Sequence, residues 1–548
     1  MQVWGSVQSQ NIVRHPDVDE WHLVQQRNVM RLGIQWSLLA DDDGKRVAPA
    51  IREAVFRLAY RSVYDSIYTY TPVFRERDLR GRQPGPAAAR DLRDLSPRAR
   101  AALAFERQLR EAYVDLTLRS YPIRVRIGRQ QVVWGEADLF RMLDRANPLD
   151  TSWHSVEEIP PPSFGWDDLR IPLSMLRVWA LLGRVGPASD ARFELYWNPG
   201  DWRPAKVAFL PRPWGIRLLD PLTNREDGAF FAPFSGIHRL ARSRLFRQGD
   251  YSWTPWGNSQ VGLQLSCGLA DGLRASLYYF HQRWAADDGT PSAVLRGFPD
   301  TPRGRERTQD LIARGSLPVE YIAPYIHTVG VSGSRYIESL QVTLRGESVY
   351  DFGLPIFNRD RATTFSPLLP GLSRRDYWKA MLAFDRPLTA SFVNDEGALF
   401  LTAQWFVHHI IHNKDSLTGP LDLPTAGARA RPFCGSARDR PCPDPDGNGS
   451  FRDDVRSWES LITVAAFTNY RGGSVLPVVG AVLDPINSDS MHLFWSVAIA
   501  AGWRVNIDVT QRYFASMQGD VRKGPFDPWL FGTMRGRSET ALRITYQF

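Results

Sequence analysis

The sequence predicts an all-β fold, a single transmembrane up-and-down antiparallel β-barrel over residues 1–548. About 18 strands are expected, with 16 or 14 as the alternative counts, along with long extracellular loops and one inward-folded loop. Three observations predict this fold. Apolar and polar residues alternate one by one, long and short connections alternate along the chain, and the last strand ends on an aromatic residue.

The alternation is the signature of strands with one apolar and one polar face. Phe56, Leu58 and Tyr60 oppose Arg57 and Arg61, and Ile123, Val125 and Ile127 oppose Arg124, Arg126 and Gln130. Leu340, Val342 and Leu344 oppose Gln341, Thr343, Arg345 and Glu347. Trp503, Val505, Ile507 and Val509 oppose Arg504, Asn506, Asp508 and Thr510. A soluble sandwich alternates in the same way, so period alone does not decide.

The connections decide more. The pattern places strands near 3–11, 26–39, 52–68, 109–118, 122–134, 172–184, 190–199, 258–268 and 272–283. The rest fall near 324–333, 336–350, 375–386, 396–413, 456–470, 474–485, 490–500, 502–514 and 537–548. Short turns at 119–121, 185–189, 269–271 and 471–473 occupy even-numbered gaps. Most odd-numbered gaps are long: 69–108, 135–171, 200–257, 284–323, 414–455 and 515–536. In a meander, all short turns then lie at one end and all long loops at the other, as in outer-membrane barrels. The turn at 40–51 and the loop at 484–489 depart from the rule, which is why the strand count has alternatives.

At the C-terminus, Leu542, Ile544, Tyr546 and Phe548 alternate with Arg543, Thr545 and Gln547. This resembles the strand signal read by the barrel-assembly machinery of Gram-negative outer membranes, and Phe548 is the expected assembly residue.

Composition excludes several classes. At 43% hydrophobic and 12% aromatic, 548 residues are too apolar for a disordered chain and too many for a disulfide-built miniprotein. The longest strongly apolar stretch without Asp, Glu, Lys or Arg, Ser490 to Trp503, is shorter than the ~18 to 20 residues a spanning helix needs. No basic and apolar leader precedes Gln2-Val3-Trp4-Gly5, so a removed signal peptide and an outer-membrane location are expected. The net charge of +8 is almost wholly arginine, since only Lys45, Lys206, Lys379, Lys414 and Lys523 are lysine. Those arginines alternate along strands rather than gathering in a basic run, so nucleic acid is not an expected partner.

The polar faces carry both signs, with Arg57, Arg61, Asp65, Glu111, Asp115, Arg192, Glu194 and Arg512 joining those above. Buried charges are normally paired, so cross-strand ladders in the lumen are expected. Tyr278, Phe280, Phe400, Phe406 and Phe494 fall on the same faces. They suit either a conduit for amphipathic molecules or, more plainly, a filled lumen packed against an inserted loop.

The most distinctive block runs from Leu109 to Asp115, then through Arg126-Ile127-Gly128-Arg129-Gln130-Gln131-Val132-Val133-Trp134-Gly135-Glu136-Ala137-Asp138. It continues through Arg141-Met142-Leu143-Asp144 to Asn147-Pro148-Leu149-Asp150. Glu136 to Ala146 reads as a short helix stopped by Pro148. Asp138, Asp144 and Asp150 are expected to bond to Arg124 and Arg126, with Gln130, Trp134 and Glu136 joining the constriction, although a passive cap is an equal reading.

This block, with Arg170-Ile171-Pro172-Leu173 and the Glu347 strand, resembles the domain-of-unknown-function 1302 family of proteobacterial outer-membrane proteins. The resemblance implies an outer-membrane barrel, often encoded beside inner-membrane transporters for hydrophobic molecules and periplasmic lipid-carrier-like proteins. It implies no catalytic residue and no substrate.

Three further clusters invite ligands. Asp444, Asp446, Asn448 and Ser450 match calcium-loop positions, but the twelfth residue is Val455, so structural Ca2+ is a weak candidate and no other cofactor is expected. Cys434 and Cys442, eight positions apart in the same loop, suggest a local disulfide. His408 and His412 would stand about 13 Å apart on a strand at ~3.3 Å per residue, too far to share a metal. These histidines, with His409, are assigned to the extracellular interface.

The expected function is a non-enzymatic outer-membrane channel or transporter for an amphipathic or hydrophobic small molecule or lipid, set among outer-membrane lipids as the outer component of an envelope transport system. A general diffusion porin is the alternative. An outer-membrane enzyme such as a lipase is the second, although no nucleophile elbow or glycine-rich phosphate loop occurs.

Overall fold

The computed structural model describes residues 1–15, 21–39, 48–68, 104–138, 140–149, 166–201, 247–248, 255–284, 295–313, 319–364, 370–414, 416–418, 455, 457–485, 490–516 and 538–548. Eighteen strands form one closed antiparallel meander. The first nine are β1 (Gln2–Arg14), β2 (His22–Leu39), β3 (Ile51–Asp65), β4 (Phe105–Leu118), β5 (Ile123–Gln130), β6 (Leu173–Val185), β7 (Ala188–Asn198), β8 (Gln260–Gly268) and β9 (Arg274–Arg283). The second nine are β10 (Tyr325–Ile337), β11 (Val342–Asn358), β12 (Gly371–Leu388), β13 (Leu399–Ile410), β14 (Trp458–Phe467), β15 (Val475–Asp484), β16 (Ser490–Ala500), β17 (Val505–Ser516) and β18 (Glu539–Gln547). β1 pairs with β18 from Ser6↔Gln547 to Arg14↔Glu539, which closes the barrel so that its first and last strands are not edges.

The alternation now has a direction. On β2, Met30, Leu32, Ile34, Trp36 and Leu38 point outward and are exposed, whereas Gln25, Arg27 and Val29 point inward and are buried. Leu493 and Trp495 on β16 and Leu542, Ile544 and Tyr546 on β18 continue the outer apolar belt. Such a belt is stable against lipid and costly against water. Among the described residues no helix is long and apolar enough to cross a membrane.

Most connections at the end that holds both termini are short, and several of them bend through left-handed residues. Gly186 (φ 60°) and Asp271 (φ 59°) are two of these, and both turns need only two to five residues between strands. The candidate calcium residues Asp444, Asp446, Asn448 and Ser450, and Cys434 with Cys442, lie outside the described residues, as do most of the long loops. Among the described residues Cys267 is a free thiol.

Three expectations are corrected. The described residues between Glu136 and Ala146 form bends, not a helix. Arginine side chains there bond to backbone carbonyls, Arg145 Nε to Met142 O at 2.7 Å and Arg141 Nη2 to Asn147 O at 2.5 Å, replacing helical backbone bonds. Arg504 belongs to a short turn before β17 and donates to Tyr546 Oη at 3.0 Å, so it is not part of the lumen ladder. His408 faces inward, its Nδ1 3.5 Å from Glu459, while His409 stacks on Trp458 on the outer face.

Candidate functional site

The chain between β5 and β6 turns into the barrel. Its described parts are 131–138, 140–149 and a short helix, α1 (Trp166–Leu169), and they span the lumen from wall to wall. Gly128 (φ 131°) sits against the backbone of β4, where a Cβ would collide, and Gly135 (φ 95°) turns the segment inward. A Cβ at Gly135 would lie 2.5 Å from Glu347 Oε1, so a side chain there would block the contact that anchors the turn.

One side of the segment is dry. Val132, Trp134, Phe140, Met142, Leu143 and Ala146 join Tyr196, Tyr278, Phe280, Met381, Phe406, Phe494 and Phe514 in one buried cluster. Four of the lumen aromatics therefore pack against the segment rather than lining free space. Phe400 instead stacks on Phe467 with ring centroids 5.2 Å apart.

Polar contacts fix the register of this packing. Trp134 Nε1 donates to Glu194 Oε1 at 2.7 Å, and Arg177 also holds Glu194. Glu347 Oε1 accepts the backbone N–H groups of Glu136 and, at 2.9 Å, Ala137. Arg345 spans Asp138 at 2.5 Å and Asp385 at 2.6 Å, and Gln404 adds a 2.6 Å bond to Asp138. Asn147 accepts from Val132 N at 2.8 Å and donates to Ile171 O at 2.9 Å, tying the two ends of the segment together. Gln130 Nε2 reaches Met175 O at 2.8 Å, across the strand pair at its root.

The opposite face is ionic. Asp168 on α1 binds Arg31 at 2.5 Å, and its carbonyl accepts from Arg61 at 2.7 Å. Arg110 donates to the carbonyl oxygens of Asp167 and Arg170. Asp144 meets Arg170 at 2.5 Å within the segment itself. Burial pushes the Asp168 carboxyl up, but Arg31 and Arg61 outweigh it and hold the group below its ordinary range. Burial raises the Glu136 carboxyl, and Arg345 offsets only part of that rise.

The expected partners of Arg124 and Arg126 are corrected. Both arginines bind Asp115 on the neighbouring strand, at 2.6 Å and 2.7 Å, and neither holds the segment. A cross-strand acid at matching register is nearer than any loop carboxylate. Asp138 and Asp144 answer Arg345 and Arg170 instead, and Asp150 lies outside the described residues. Of the other expected ladder residues, Arg57 pairs with Glu111 at 2.7 Å, Asp65 stands 3.6 Å from Arg27, and Asp508 takes Arg543 at 2.9 Å. Phe548 lies half-exposed on the outer face, and its backbone bonds to Gly5 in both directions at 3.0 Å.

Sequence reasoning missed Arg145, Asp351, Lys379, Asp168 and Arg31. Asp351 shares the inward parity of Arg345 and Glu347, and Lys379 is one of only five lysines, flanked on its face by Tyr377 and Met381. Those were readable signals.

Fold and site together define a closed 18-strand barrel whose lumen is crossed by an inward segment. The chain belongs to the family described as "Protein of unknown function (DUF1302)", which matches residues 52–548. No curated protein matches. Solved structures it resembles include Acinetobacter baumannii OccAB4 (9% identity, TM-score 0.41, 100% of this chain and 97% of that one). Pseudomonas aeruginosa OccK2 (OpdF), in complex with glucuronate, shows 8% identity and TM-score 0.39 over 100% and 96% of the two chains. Salmonella typhi OmpF, in complex with daunomycin, shows 10% identity and TM-score 0.36 over 100% and 97%. Likeness at this level adds nothing about substrate.

Proposed function

We propose that the chain is a narrow outer-membrane channel that passes small amphipathic molecules along one side of its inward segment. One observation carries this reading. The segment packs dry against the wall from β6 to β17 but meets β2 to β4 mainly through the ion pairs and hydrogen bonds around Asp168, and beside these contacts a cavity of about 660 Å³ remains. Trp4, Arg57 and Glu111 line it on the wall side, and Gln131, Val133 and Asp168 on the segment side. Arg57 also lines a second cavity, of about 940 Å³, toward the short turns.

The lining suits a solute with both a charged and an apolar part. A wholly hydrophobic solute would have to desolvate the arginines without replacing their water. A general diffusion porin is the weaker reading, because the apolar cluster occupies the space an open pore needs. The expected periplasmic lipid-carrier-like and inner-membrane partners, and an outer component role in an envelope system, belong to this proposal and rest on the family resemblance.

Planar-bilayer recording of the purified barrel tests the reading. Small, discrete conductance steps are expected. Large ohmic steps would favour the porin, and a folded barrel that never conducts would overturn the channel.

A further inference from the structure

We propose that the cavity at the short-turn end is a recognition site for organic anions that carry an aromatic or apolar body. The inference deepens the channel reading and rests on it for its biological meaning. The cavity is bordered by Arg52, Arg57, Arg119, Arg124, Arg126 and Arg192, against only Glu53 and Asp115. The acids are too few for the cations around them. Asp115 already serves both Arg124 and Arg126.

Two of the arginines stand ready for a ligand. Among the described residues, Arg52 and Arg192 make no hydrogen bond or ion pair, and both are exposed to the cavity. The Arg124 side chain, although bonded to Asp115, keeps half its surface exposed. Guanidinium groups match oxyanions through paired N–H donors, so a carboxylate entering here would supply the missing negative charge.

Aromatic surface lies beside them. Arg126 sits 3.9 Å from the Tyr113 ring centroid, and Arg124 lies 5.6 Å from that of Trp179. Both rings line the cavity, together with Leu181. A ligand ring can lie against Trp179 while its oxyanion meets Arg124 and Arg192, one contact favouring apolar character and the other negative charge. An inorganic ion would use only half of this site, and a neutral ring the other half.

Titration calorimetry on the folded, detergent-solubilised full chain tests the proposal with 2-naphthoate, neutral 2-naphthol and the cation 2-naphthylmethylammonium. The expected order is naphthoate at least tenfold tighter than naphthol, with the cation weakest. The double variant Arg124→Gln/Arg192→Gln should weaken naphthoate at least tenfold and leave naphthol unchanged, while Trp179→Leu should weaken both. Undetectable naphthoate binding, or equal affinity for the three probes, overturns the proposal. So does a double variant, folded by its heat-dependent electrophoretic mobility, that binds naphthoate like the parent.

The reversal potential in a tenfold KCl gradient gives a second readout, expected to be anion-selective and to shift toward cations in the double variant. Equilibrium binding needs no conduction, so a silent barrel that binds naphthoate sinks only the channel reading. A conducting barrel indifferent to naphthoate and to both substitutions sinks only the anion site.

Discussion

Arg145 in the inward segment donates to Asp351 on β11, Nη1 to Oδ1 at 2.5 Å, and Lys379 on β12 approaches the other carboxylate oxygen at 3.0 Å. All three side chains are at most 5% exposed. The barrel wall thus contributes one acid and one base, and the segment adds a second base, so docking and wall chemistry are one network.

Asp351→Asn should therefore be the most damaging single change in the lumen. It leaves two buried cations without their shared counter-charge, a loss of about 3 to 5 kcal/mol. A lower urea midpoint and new tryptic cleavage at Arg141 are the expected readouts. Adding Lys379→Met should recover part of the loss, because one of the two uncompensated charges is then gone. A double variant no better than the single one would show that the network is not electrostatic.

Arg345→Gln/Glu347→Gln should free the turn at Gly135 while the barrel stays closed, because the long backbone ladder between β11 and β12 holds without the Arg345–Asp385 pair. Larger single-channel steps are expected. Arg124→Gln/Arg126→Gln should not enlarge the steps, since both arginines answer Asp115 on the wall. The reverse pattern would return the gate to the arginines of β5.

The docking of α1 should resist mild acid. Asp168 has a lowered folded-state pKa, so its contribution is fully present above the ordinary aspartate value of 3.8 and is lost as pH falls through the lower folded value. Asp168→Asn should cost about 1.5 to 3 kcal/mol at pH 7. Unfolding midpoints of parent and variant should keep their separation from pH 7 to about pH 5 and converge only below 3.8. Convergence already at pH 5 would contradict the lowered value.

Phe548→Ala should reduce the amount of barrel in the membrane far more than the stability of what is assembled. The ring is half-exposed, so its removal costs about 1 kcal/mol or less in burial. Heat-modifiable mobility of the assembled fraction and its total yield separate the two effects. Normal yield would make the terminal pattern incidental.

Protease added to intact cells should cut within 200–257 or 414–455 and spare the turns at 119–121 and 471–473. Cleavage at those turns from outside would invert the orientation.

Much of the architecture was legible because a barrel strand repeats every two residues. The run from Phe56 to Arg61 already separates Leu58 from Arg57, and the structure turns the first to the outside and the second to the lumen. Connection lengths then ordered the strands, since a meander with short turns at one end has only one way to close. The inward course of the chain after Gly128 was also readable, from two glycines and a polar, aromatic block between strands.

Which charge meets which was not readable. Arg124 and Asp115 are 9 residues apart and become neighbours by register, whereas Arg345 and Asp138 are 207 apart and meet only because the segment crosses the lumen. Local sequence carries period, turn chemistry and the sign of each face, all set by near neighbours along the chain. Pairing across a lumen depends on barrel diameter and on how the segment packs against its apolar wall, so only the closed tertiary structure decided the partners of Glu347, Asp168 and Arg145.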